Sequence, residues 1–228
     1  DNPFIFEEAR FRGRETRPII HWGINGPQRA GPIAVPGKYT VRMTVNGKSY
    51  TQPFEIAKDP AIPSSDADLV ESTNVQRRIV ADMNESVDMI NRLELMRKQI
   101  EDQLASQKGK ADVVRALQGL EKKMMDVELQ LLSRTDMHSD DKWYVESYKV
   151  YMQLIWLYAE VGNGAGDVQG GAEYRPTAAA MEWLATVEQE LSAARAAFRG
   201  IVEREVPAFN QGMGGRIPAI ADRTERSE

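Results

Sequence analysis

The chain has 228 residues, room for one large domain or two small ones, and a length at which folding removes roughly 70% of the unfolded surface from water. Its 42% hydrophobic and 28% charged residues are those of an ordinary globular protein, and a net charge of -5 argues against a nucleic-acid partner, which wants a basic face. With no cysteine there is no disulfide framework and no cysteine-based zinc or redox site, a state that suits the cytosol and a bacterial periplasm alike.

Residues 1–60 are rich in Gly, Pro and β-formers and read as a β domain. Residues 1–17 carry Phe4, Ile5, Phe6 and Phe11 among charges, too apolar for a free tail and too short for a domain. "RPIIHWGI" (17–24) reads as a short strand, followed by a loop punctuated by Pro27, Pro32 and Pro36. Then Tyr39, Val41, Met43 and Val45 alternate with Thr40, Arg42 and Thr44, the period of a strand with one buried face. Asn46-Gly47 follows, the dipeptide best suited to a type I′ turn, so residues 38–56 form a hairpin. Pro53 in the returning strand is tolerable only at an edge or bulge.

The linker "AKDPAIPSSDAD" marks a boundary, after which residues 61–210 read as about four helices. Ser64, Ser65 or Asp66 caps the first, whose apolar residues Ile79, Met83, Val87, Ile90, Leu93, Ile100 and Leu104 share a face up to a break at Gly109. In the second, Val113, Leu117, Leu120, Met124, Val127 and Leu131 step 4-3-4-3-4, a heptad-like seam. Leu117, Leu120, Met124, Leu131, Leu184, Leu191 and Ile90 are expected to share one core of antiparallel helices.

The third helix, about 143–161, is aromatic, with Trp143, Tyr144, Tyr148, Tyr151 and Trp156 on more than one side. Core packing is the plainer reading and a binding face the alternative, since Trp and Tyr are enriched at hot spots. Its charged and polar residues Glu146, Lys149, Gln153 and Glu160 exclude a membrane span. "GNGAGDVQGG" reads as a flexible loop. The fourth helix follows Pro176 and ends or kinks at Pro207; residues 211–228 form an irregular tail. Opening on Asp1 with no visible signal peptide, the chain reads as a processed product or the ordered part of something longer.

Candidate chemistry is sparse. His21 reads as a packing residue beside Trp22, and His138 with Asp136, Asp140 and Asp141 as a helix cap before a cation site. The glycine loop lacks the setting of a phosphate loop. Carboxylates on the helices read as solvated ion pairs with Lys and Arg. No catalytic residue, cofactor or metal is expected.

The segment "GPIAVPGKYTVRMTVNGKSYTQPFEIAKDP" resembles the end of bacterial sortilin-like, Asp-box repeat β-propeller proteins, some labelled glycosyl hydrolases. The match runs through Pro36, Gly37, Tyr39, Thr40, Val41, Asn46, Gly47, Tyr50, Thr51, Gln52, Pro53, Asp59 and Pro60, with "IIHWGI" upstream and "VPAFNQ" near the end. It implies a secreted setting, a small immunoglobulin-like β domain after the propeller and a helical C-terminal region. The propeller and its Asp-boxes are absent from this chain.

The expected fold is therefore α+β: a partial immunoglobulin-like β-sandwich of three to five strands, then an antiparallel helical bundle. The expected function is a non-enzymatic interaction module docking on protein subunits of a larger extracytoplasmic assembly, periplasmic or secreted and bacterial. An accessory subunit at a respiratory or photosynthetic membrane complex is one setting, with peripheral association and no transmembrane helix of its own. The alternative is a carbohydrate-binding or glycoside-hydrolase-related fragment. Candidate contact residues are Phe4, Ile5, Phe6, Phe11, Trp143, Tyr144, Tyr148, Tyr151 and Trp156, along with an open β edge. Residues 1–17 and the tail after Gly212 are expected to lie against another protein.

Overall fold

The computed structural model describes residues 31–133, 147–162, 164–165, 168–169 and 173–223. Outside them lie the strand expected at 17–24, His21, the His138 turn, and six of the nine candidate contact residues: Phe4, Ile5, Phe6, Phe11, Trp143 and Tyr144.

Strands β1 (Gly37–Val45) and β2 (Lys48–Ile56) pair antiparallel, with Val45 opposite Lys48 and only Asn46-Gly47 between them. Asn46 at φ 50° and Gly47 at φ 76° supply the two left-handed positions that a type I′ turn requires. Among the described residues these two strands form an open sheet with no third member.

Helix α1 (Asp66–Ser106) spans 41 residues, about 61 Å at 1.5 Å per residue. Ser65 begins it with a capping box: its Oγ accepts the Asp68 N–H at 3.2 Å while Asp68 accepts the Ser65 N–H at 3.0 Å. Helix α2 (Ala111–Leu131) turns back along the C-terminal half of α1 and buries every residue of its heptad-like seam. Helix α3 (Val150–Val161) covers the N-terminal half, its last carbonyl accepting Ser72 Oγ at 3.1 Å. Of the stretch expected to precede it, residues 143–146 lie outside the described residues, while Ser147, Tyr148 and Lys149 are not helical and Lys149 is extended at ψ -178°. A run of aromatic and β-branched residues with no side-chain cap gives a weak start to a helix.

Within the glycine-rich stretch read as a loop, β3 (Gly164–Ala165) and β4 (Val168–Gln169) form a minimal antiparallel ladder. Helix α4 (Ala178–Gly200) then starts at Thr177, whose Oγ1 accepts the Ala180 N–H. It does not stop at Pro207. A π turn over Ile201–Glu205 widens the ladder just ahead of the proline, and α5 (Val206–Met213) carries the helix on to a left-handed cap at Gly214. Proline lacks the N–H that a regular helix would need and clashes with the preceding turn, so a widened turn is where the strain is absorbed.

The helices are not all antiparallel. Ion pairs Arg78–Glu188 and Arg195–Glu85 advance together along both helices, so α1 and α4 run parallel, both starting at the hairpin end. Helices α2 and α3 both descend against α1, one below the other, so the bundle has three columns: α1, then α2 with α3, then α4 with α5. Leu117, Leu120, Met124, Leu131, Leu184, Leu191 and Ile90 all lie in its core.

The tail corrects a second expectation. Residues 213–223 dock on the chain's own bundle, with Ile217 and Ile220 buried in the core. Gln99 and Gln103 donate to the carbonyls of Ala221 and Pro218 at 2.8 Å each. Arg92 lies over the Phe198 ring and holds Asp222 through two hydrogen bonds of 3.0 and 2.6 Å.

Not every ion pair is solvated. Leu93, Glu94, Leu95, Met96 and Arg97 are buried in succession, so α1 is covered around its girth here by α2, α4 and the tail. Arg97, 2% exposed, donates to Glu128 on α2 at 2.6 Å, deep between the helices. Between the α1–α4 ion pairs sits Asp82, whose Oδ2 is buried without a hydrogen-bond partner. Burial, with Glu188 and Glu85 nearby, pushes its carboxyl up to about 6.

Candidate interaction surface

Among the described residues, the hydrogen bonds that tie the hairpin to the bundle lie at its root. Thr73 Oγ1 donates to the Ile33 carbonyl at 2.8 Å, and the Ile33 N–H donates to Gln76 Oε1 at 3.0 Å. Gln76, 1% exposed, also donates to Ser72 Oγ at 3.1 Å, so one polar cluster on α1 fixes both the hairpin root and the end of α3. Gly162 permits this closeness: a Cβ there would stand 2.8 Å from Gln76 Cδ. Tyr39 completes the root by donating its hydroxyl to the Val35 carbonyl at 2.6 Å.

Register then sorts the hairpin's side chains. Tyr39 faces Phe54, Val41 faces Gln52, Met43 faces Tyr50 and Val45 faces Lys48, all on one side of the sheet. The alternation anticipated in the sequence is there, but its apolar face is not buried. Val41, Met43, Val45, Tyr50 and Phe54 are 43–55% exposed. They form one strip, interrupted by Gln52 and closed at the tip by Lys48, whose ammonium sits over the Tyr50 ring. The opposite face is polar, with Thr44 and Ser49 hydrogen-bonded at 3.0 Å.

The backbone edges differ as well. In a hairpin closed by a two-residue turn, the flanking pair exchanges both hydrogen bonds and pairing then alternates. Odd-numbered residues of β1 and even-numbered residues of β2 therefore point their N–H and C=O groups inward. Lys38, Thr40, Arg42 and Thr44 direct theirs outward, forming an unbroken edge that no other strand among the described residues pairs with. On β2 the outward positions are Ser49, Thr51, Pro53 and Glu55, and Pro53 has no N–H to offer.

Of the aromatic candidates, Tyr148, Tyr151 and Trp156 are half-buried and pack around Met152, Ile155, Ala159 and Met83. Burial raises the Tyr151 hydroxyl's pKa. Tyr50 and Phe54 fall outside the candidate contact residues; the signal that finds them is the register across the Asn46-Gly47 turn, which puts them on the face of Val41 and Met43.

Between the root and α1 lies a cleft of about 190 Å³ lined in part by Ile33, Pro36, Ile56, Ile62 and Leu69. That is below the roughly 300–1,000 Å³ of ordinary ligand pockets. Among the described residues no group of three or more His, Cys, Asp or Glu is placed to hold a metal ion, and no helix is long and apolar enough to cross a membrane. No known family model matches the chain, and neither a curated protein nor a solved structure matches it significantly.

Proposed function

We propose that the protein is a non-enzymatic interaction module that docks on protein subunits of a larger extracytoplasmic assembly, the helical bundle serving as a base that holds the hairpin out. The observation that carries this reading is the uncovered apolar strip of Val41, Met43, Val45, Tyr50 and Phe54. A two-stranded hairpin is marginal by itself, and an exposed apolar strip of this kind is characteristic of a surface that another polypeptide covers. The resemblance of residues 31–60 to the β domain of secreted propeller proteins supports the extracytoplasmic setting and an immunoglobulin-like completion of the sheet. A periplasmic accessory role at a membrane complex is compatible with this docking reading.

The test is a paired charge insertion, Val41→Lys with Met43→Lys, followed by native mass determination of the chain in gently lysed source cells. The docking reading expects the wild type in a high-mass assembly and the variant as a folded, free chain. Wild type and variant running at the same mass would refute it.

A further inference from the structure

The open edge of β1 narrows the partner's chemistry. Resting on the docking reading above, we propose that the hairpin is completed by strand addition: an extended segment of a partner protein pairs with the outer edge of β1, carrying apolar residues beside Val41 and Met43 and an acidic residue beside Arg42.

Three observations select this occupant. The first is the asymmetry of the two edges. β1 offers an unbroken outward row at Lys38, Thr40, Arg42 and Thr44, whereas the matching row on β2 is interrupted in its middle by Pro53. A proline at an outward position removes one rung from any incoming ladder, so addition to β1 is favoured.

The second is charge. Lys38 faces Glu55 across the sheet, but Arg42 faces Thr51 and has Thr40 and Thr44 as its neighbours along β1. None of these carries a charge, and the diagonal positions Ser49 and Pro53 do not either. The free side of Arg42 is thus complementary to a carboxylate on the next strand, a cross-strand pair that stabilises a sheet. A second copy of β1 would instead bring Lys38 and Arg42 against their own like, which is unfavourable.

The third is the face. An added strand keeps the alternation of the sheet, so residues flanking its acidic position fall on the side of Val41 and Met43 and widen the apolar strip. The occupant is accordingly an alternating apolar–acidic segment. Backbone hydrogen bonds supply its affinity and the side chains on its two faces its specificity, as in other strand-addition complexes.

The experiment uses the full chain, isotope-labelled for nuclear magnetic resonance, and two acetylated octapeptide probes, one alternating Val with Glu and the other Val with Lys. The proposal expects the Glu probe to shift the amides of Thr40, Arg42 and Thr44, to slow their hydrogen exchange, and to bind at least about tenfold more tightly than the Lys probe, an ordinary size for one specific contact. Arg42→Glu, at an exposed position, should reverse that preference while hairpin amide dispersion reports an intact fold. No binding, equal binding of the two probes, or a response at Thr51 and Glu55 would overturn the proposal. So would outward β1 amides that are already protected without a probe, which would mean pairing within the chain if independent of concentration and with a second copy if not. A chain that fails this test but still leaves its assembly on Val41→Lys/Met43→Lys docks by its apolar face alone, so the two readings fail separately.

Discussion

Helix α2 and strand β1 carry equally regular apolar patterns, and the protein treats them in opposite ways. Along α2, Val113, Leu117, Leu120, Met124, Val127 and Leu131 are each no more than 6% exposed. Along β1, Val41, Met43 and Val45 are about half exposed. The difference lies in what surrounds each element. α2 has α1 on one side and the α4–α5 column on the other, while the hairpin leaves the bundle at Ile33 and Tyr39 and, among the described residues, has no element packed on its apolar side. Periodicity tells which face is apolar; it does not tell which molecule covers it.

The contrast can be broken most severely inside the bundle. Glu128→Ala leaves Arg97 buried beside α2 without its 2.6 Å partner, and removing one member of a buried pair costs about 3–5 kcal/mol. Denaturant unfolding should show that loss, and Arg97→Met with Glu128→Leu should recover most of it. A loss under about 1 kcal/mol for Glu128→Ala would place the pair in solvent.

A matched pair of truncations sharpens the same comparison. Leu120→Ala in the core should cost about 2–5 kcal/mol, and Val41→Ala on the hairpin less than about 0.5 kcal/mol in the isolated chain. Similar losses for the two would mean that the chain itself covers the hairpin.

The smallest effect concerns pH. Asp82 has a carboxyl pushed up to about 6, chiefly by burial, so the folded chain disfavours its ionisation. The group's favourable contribution is full below the usual carboxylate range and is lost as pH rises through about 6. Asp82→Asn should therefore stabilise the chain near pH 7.5, by about 1 kcal/mol once solvent screening of this partly exposed group is allowed for, and change nothing near pH 3.5. Thermal unfolding at the two pH values checks this, and equal shifts at both would remove Asp82 as the titrating group.

Much of the architecture was legible from residues alone. The Asn46-Gly47 turn, the break near Gly109, the seam of α2 and the shared core follow from local backbone preference and spacing, which neighbouring elements do not alter. What escaped depends on tertiary surroundings. Glu94, Arg97 and Glu128 look like surface charges in sequence because nothing local reports that α1 is enclosed at that level. The parallel run of α4 beside α1 follows from α3 continuing the descent of α2, which helical patterns do not encode. Ile217 and Ile220 sit in a segment too irregular to show a period, so their docking on α1 was invisible. Half of the candidate surface could be read, because alternation marks the Val41 and Met43 face; its exposure could not.

Hydroxyl-radical footprinting of the methionines and of Tyr50 is the most direct measurement of whether the hairpin face is a docking surface. In the isolated chain Met43 and Tyr50 should label quickly, while Met96 and Met124, both 0% exposed, stay protected. In the native assembly, Met43 and Tyr50 should become protected as well, with Met96 and Met124 unchanged. If Met43 is as unreactive as Met96 in the isolated chain, or equally reactive alone and in the assembly, the hairpin is not where this protein meets its partner.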